Sequence, residues 1–219
     1  MTYPNERYLV ETDWLEANLD DPNLRILDCC VDFGMSEAGT YEFSAAHETF
    51  RSGHIPGASF VDFPAEASDP ESSLPFMLPP ADAFGEAMRR HGVGAGTRVV
   101  IYDKLCNNWA ARLWWTLRAY GFTDAAVLNG GLVKWQAEGR PLSTVEADPP
   151  SGDFESRFDR SGQTVFVDRD RVLAAIDDPE TCLVDALDPE HYAGTNPVGV
   201  ARPGHIPSAG NVPWIDVVD

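Results

Sequence analysis

The chain has 219 residues, 43% of them hydrophobic and 11% aromatic, which suits one large or two small packed domains and is too apolar for a disordered chain. Its formal net charge is −19, and Lys104 and Lys134 are the only lysines among sixteen basic residues, so nucleic acid is excluded as an expected partner. The opening residues, MTYPNERYLVETDW, hold no apolar signal region and no run reaches membrane-span length, so a cytoplasmic protein without a membrane partner is expected.

In chain order, Thr12 or Asp13 is placed to cap a short helix with Leu15 and Leu19 facing inward, stopped by Pro22. LRILDCC (24–30) is a short apolar run of strand length, and ASFVDF (58–63) is a second. Pro80 opens a helix that puts Phe84, Ala87, Met88 and His91 on one face and ends at Gly92. RVVIYD (98–103), β-branched and without alternation, is expected to be a strand buried on both faces. A helix follows, with Ala110, Leu113, Trp114, Leu117 and Tyr120 on one stripe and Gly121 as its stop; Trp114 and Trp115 are expected in the core and at a domain interface. AAVLNGG (125–131) reads as a strand and a tight turn, and LVKWQAEG as another helix. Strands alternating with helices imply a parallel sheet covered on both faces.

The chain also repeats itself. VETDWLEANLDDPNLRILD (10–28) aligns without gaps on VDRDRVLAAIDDPETCLVD (167–185) at an offset of 157 residues, and RSGHIPGASFVDF (51–63) aligns on RPGHIPSAGNVPW (202–214) at an offset of 151. Two blocks in the same order imply two copies of one domain. The expected division is a first copy at 1–145, a linker at 146–162 within an acidic, Pro-rich stretch, and the start of a second copy at 163–219. By the same offset Asp219 stands opposite Ser68, so the second copy is expected to be incomplete, a truncated product or a partial record.

Taken together, LRILD, SGHIPGA, RVVIYD, AARLWWTLRAYG, VLNGGLVKW and GRPL, then LVDAL and PGHIPSA, resemble the two-domain rhodanese sulfurtransferases, which include the thiosulfate and 3-mercaptopyruvate enzymes. The resemblance covers nearly the whole chain and implies an α/β fold: tandem rhodanese-like domains, each with a mostly parallel five-stranded sheet flanked by helices. It implies a cysteine that carries sulfur as a persulfide from a small anionic donor to a thiol or cyanide-like acceptor, without a metal or organic cofactor. In that family the nucleophile opens the loop after the central strand of the C-terminal copy, where backbone N–H groups lower a thiol pKa. The equivalent position in the first copy is Asp103, which cannot form a persulfide. The matching position of the second copy falls roughly at 254, beyond Asp219, so the expected catalytic residue lies outside this chain and the 219-residue polypeptide is expected to be inactive. Leu187 and Ala193 stand where the family often carries donor-binding arginines, which weakens a mercaptopyruvate assignment, and Arg202 remains as a candidate substrate-binding cation.

Cys106 and Arg112 form a Cys-x5-Arg run, the pattern of phosphatases and arsenate reductases in which a thiolate attacks an oxyanion held by arginine. Against it, the segment Asn107–Ala111 has no glycine to converge its N–H groups, and Arg112 is expected to brace the loop. A non-catalytic interaction module is a further alternative. Cys29, Cys30 and Cys182 read as small buried hydrophobes in a reducing compartment, with Cys29 and Cys30 on opposite faces of a strand; no metal-ligand spacing occurs. His54 and His205 recur in Gly-His-Ile-Pro and are expected to tie down backbone.

Overall fold

A computed structural model describes residues 7–37, 41–157, 166–196 and 201–218. The chain forms two compact units, one of Met1–Asp32 with Phe43–Val165 and one of Phe33–Glu42 with Phe166–Asp219. No helix among the described residues is long and apolar enough to cross a membrane.

In the first unit the elements run β1 (Leu9–Val10), α1 (Thr12–Ala17), β2 (Leu24–Asp28), β3 (Val31–Met35), β4 (Tyr41–Ala45), α2 (His47–Ser52), β5 (Ala58–Phe60), α3 (Phe63–Glu66), α4 (Ala81–Arg90), β6 (Arg98–Tyr102), α5 (Asn108–Ala119), β7 (Ala125–Leu128) and α6 (Gly131–Ala137). The distal parts of β3 and β4, a separate two-stranded sheet, belong to the second unit. Five strands form one parallel sheet in the order β1-β7-β6-β2-β5. Successive residues of the central strands alternate between two cores, as the pleat requires. Leu27, Cys29, Val99, Ile101, Ala125 and Val127 pack on one face with Phe84 and Met88 of α4 and Leu113 and Leu117 of α5. Ile26, Cys30, Val100, Tyr102, Ala126 and Leu128 pack on the other with Leu15, Phe50, Leu132 and Trp135. Each of these larger apolar side chains contributes roughly 1.5–3 kcal/mol by leaving water.

Several details depart from expectation. Thr12 is the first helical residue of α1, with Glu11 before it and no side-chain cap, because the Thr12 hydroxyl donates to Glu138 Oε2 at 2.5 Å instead. Trp115 is exposed, since α5 turns Ala110, Leu113 and Leu117 inward and Trp115 away from that stripe. The stretch expected as a linker is strapped along the first unit as far as Arg157, and 158–162 lies outside the described residues. Ala147, Gly152, Phe154 and Arg157 donate their N–H groups to carbonyls of Ala58, Arg89, Val93 and Tyr120, and Phe154 is buried against Phe84 and Phe122.

The second unit contains α7 (Arg169–Ala175), β8 (Val184–Asp185), α8 (Pro189–Ala193), β9 (Gly210–Asn211) and a 3-10 turn at Trp214–Val217. β8 pairs with β9 in parallel, Val184 with Gly210 and Asp185 with Asn211. The sequence offsets map these pairs onto Leu27 with Ser59 and Asp28 with Phe60 in the first unit, where the same register occurs. The next rung also matches: Val212 N–H donates to the Asp185 carbonyl at 2.9 Å and Val61 N–H to the Asp28 carbonyl at 2.8 Å. Cys182, expected to be buried, is exposed, because the described part of this unit buries few apolar side chains, Ala175 and Ala209 among them.

Candidate functional site

The strand order sets where a site belongs. From β2 the chain crosses to β5 on one side, and from β6 it crosses to β7 on the other, so the connections diverge between β2 and β6. Ligands of open parallel sheets bind at the carboxyl ends of strands at such a switch point. Asp28 ends β2 and Asp103 follows β6 there, both buried.

Asp103 is 1% exposed and accepts four backbone N–H groups. Leu105 and Asn107 donate to Oδ1 at 2.7 and 3.0 Å, and Trp109 and Ala110 to Oδ2 at 2.8 and 2.9 Å. The loop after β6 and the first turn of α5 therefore form an anion cradle, and this carboxylate fills it. Burial pushes the Asp103 carboxyl above its ordinary range, and the four N–H bonds oppose that rise. The cradle forms without glycine, contrary to expectation. Cys106 and Asn107 both take the left-handed conformation, φ 52° and 61°, and curl the loop so that its N–H groups converge. From the β7 side, the Asp103 carbonyl accepts the Leu132 N–H at 2.9 Å. Gly131, at φ 53°, passes so close that a Cβ there would collide with that carbonyl. Asn129-Gly130-Gly131 is thus a tight turn braced by Glu11, which accepts from Asn129 Nδ2 and Lys134 Nζ.

The remaining candidates lie around this loop or away from it. Cys106 is exposed, one residue from two of the cradle's donors. Arg112 Nη2 donates to the Phe76 carbonyl at 2.7 Å, which braces the 70s loop, and burial lowers the guanidinium pKa. Cys29 and Cys30 occupy opposite faces, and burial raises both thiol pKa values well above the ordinary range, so both are inert as nucleophiles. Arg202 is exposed in the second unit. Leu187 N–H donates to Asp185 Oδ1 at 2.9 Å, the same turn as Cys30 N–H on Asp28 Oδ1 at 2.9 Å. No group of His, Cys, Asp and Glu among the described residues is arranged to hold a metal ion.

The two histidines make one arrangement twice. His54 Nδ1 lies 2.8 Å from the Phe50 carbonyl and the ring stacks on Phe50 at 3.8 Å. His205 Nδ1 lies 2.8 Å from the Tyr192 carbonyl and the ring stacks on Tyr192 at 3.8 Å. The resemblance placed Asp103 at a position ringed by backbone N–H groups, but the left-handed backbone of Cys106 and Asn107 that closes the ring here has no signal in their side chains.

Residues 11–138 match the rhodanese-like domain family. The chain is 35% identical over 213 residues to the 3-mercaptopyruvate sulfurtransferase of Escherichia coli, covering 96% of this chain and 73% of that protein. It is 33% identical to the thiosulfate sulfurtransferase of Rattus norvegicus, covering 96% and 70%. Among solved structures, a 3-mercaptopyruvate sulfotransferase from Escherichia coli superposes with a TM-score of 0.83 at 33% identity, over 97% of this chain and 77% of that one.

Proposed function

The chain belongs to the rhodanese family, and from that premise we propose that it works in a sulfurtransferase that moves sulfane sulfur from a small anionic donor to a thiol or cyanide-like acceptor through a cysteine persulfide. The observation that carries the reading is Asp103 in the cradle. The N–H ring that would stabilise an anionic persulfide holds a carboxylate, which has no sulfur to accept or pass on. The first unit is accordingly read as the non-catalytic copy of a tandem pair. The shared strand register and the paired histidine stacks support a second copy of the domain from 163 on, and the sulfur-carrying cysteine is assigned to that copy's counterpart of the Asp103 loop, which these 219 residues do not include. Thiosulfate is the favoured donor, because Ala193 stands near the place of a substrate arginine of the mercaptopyruvate enzymes and Leu187 where the family often carries another. A reducing compartment such as the cytoplasm suits this chemistry and the four unpaired cysteines.

The test is thiocyanate formation from thiosulfate and cyanide. The 219-residue chain is expected to show no turnover, and a chain extended through the matching loop of the second copy is expected to turn over, with loss on replacing that loop's cysteine. Turnover by the 219-residue chain that disappears in Cys106→Ser would overturn the reading and restore Cys106 with Arg112 as the reactive pair.

A further inference from the structure

A second polar cluster lies on the first unit, apart from the cradle and unused by sulfur transfer. Ser59 of β5 and His91 at the end of α4 are 5% and 8% exposed. Ser59 Oγ lies 3.0 Å from His91 Nδ1, and His91 Nε2 lies 3.1 Å from Glu66 Oε2. Glu66 is itself fixed, taking Arg90 Nη2 at 2.7 Å on Oε1 and the Asp62 N–H at 3.1 Å on Oε2. A carboxylate only accepts, so Nε2 carries the imidazole proton and Nδ1 presents its lone pair to the serine hydroxyl. A nucleophile within reach of a base that a third group orients is the general signature of an activated side chain. Ser59 and His91 border a crevice of about 360 Å³ that Arg90, Glu146, Ala147 and Asp148 also line, with Glu66 behind the imidazole, a volume that admits a small ligand.

We propose that Ser59 is an activated nucleophile that takes the acyl group of a small ester, with His91 as general base and Glu66 as the residue that positions it. Ser59 Oγ bonds to the carbonyl carbon as the ester C–O bond breaks. The hydroxyl proton passes to His91 Nδ1 and then to the leaving alkoxide, which departs as the alcohol. Water, deprotonated by the same imidazole, then attacks the acyl-serine and releases the carboxylic acid, restoring Ser59.

A fluorophosphonate probe tests this on the folded 219-residue chain, because the same attack displaces fluoride and leaves a stable phosphonyl-serine. Peptide mass spectrometry is expected to find the adduct on Ser59, absent after prior denaturation. His91→Gln, with its fold checked by circular dichroism, is expected to slow labelling at least tenfold. The folded wild-type chain leaving Ser59 unlabelled, or His91→Gln labelling at the wild-type rate, would overturn the proposal. Should His91→Gln fail to fold, p-nitrophenyl acetate hydrolysis decides: loss in folded Ser59→Ala supports the proposal, and an unchanged rate overturns it. Neither readout involves sulfur transfer, so this proposal and the sulfurtransferase reading stand or fall separately.

Discussion

Removing the Asp103 carboxylate should unravel the loop it organises. In Asp103→Ala four N–H groups lose their acceptor at once, those of Leu105, Asn107, Trp109 and Ala110. A buried donor left unsatisfied costs about 1–3 kcal/mol, and donors near the loop surface recover part of that from water, which leaves about 1–1.5 kcal/mol each. Against a total of about 4–6 kcal/mol, removal of a buried charge returns about 2 kcal/mol, given that burial already raises the Asp103 carboxyl. The expected net loss is about 2–4 kcal/mol, a large share of the ~5–15 kcal/mol that stabilises a typical domain. Asp103→Asn keeps one carbonyl oxygen and turns an NH2 toward the other two donors, so its loss should be intermediate.

The measurement is urea unfolding followed by tryptophan fluorescence, since Trp109 and Trp114 flank the loop on α5. With a slope of about 1–3 kcal/mol/M the midpoint should fall by roughly 1–2 M in Asp103→Ala, while the exposed control Asp20→Ala should stay near wild type. A fall below about 0.5 kcal/mol in Asp103→Ala would show that the cradle does not depend on its carboxylate. The identification of Asp103 as the anion that fills it would then lose its energetic basis.

Three other outcomes are expected. Gly131→Ala places a methyl group against the Asp103 carbonyl at a positive φ, and should cost about 2 kcal/mol or more in denaturant unfolding. Burial pushes the Glu66 carboxyl up, but the bonds from His91 and Arg90 outweigh it and hold it below the usual range. That depressed value adds stability above the unfolded carboxyl pKa and loses it as pH falls through the lower folded pKa, so Glu66→Gln should flatten the acid limb of a stability-against-pH curve. Phe154→Ala empties a buried ring site under the strap, and should cost about 3–5 kcal/mol and speed proteolytic nicking within 146–157.

How far the sequence revealed this fold depended on how much each element buries. β2, β6 and β7 are covered on both faces, so they appear as short apolar runs, and α4 and α5 each show an inward stripe. β1 has two residues and β3 is mostly exposed, so neither carries a hydrophobic pattern. The strap resembles a linker because its hold on the first unit is made by backbone N–H groups and one ring, Phe154, within a Pro- and acid-rich composition. At the site, the strand-end position of Asp103 was legible from the apolar run RVVIYD, and its match to the nucleophile's place from the family resemblance. The closing of the cradle was not, because it depends on left-handed backbone at Cys106 and Asn107, which their side chains do not announce.

The matched segments also show what the shared frame tolerates. Between the two aligned blocks the offset falls from 157 to 151 residues, so the first segment is six residues longer there. It uses that length for β3, β4 and α2, whereas the second has α8. Both nevertheless deliver Gly-His-Ile-Pro to a strand in the same register, because each histidine is held by the carbonyl and stacked on the ring of one preceding aromatic, Phe50 in α2 or Tyr192 in α8. The shared frame is therefore set by the strand-end aspartate turn, the parallel register and the histidine stack. In the first unit the loop after the central strand is filled by its own carboxylate, and the four N–H groups that Asp103 gathers brace the start of α5.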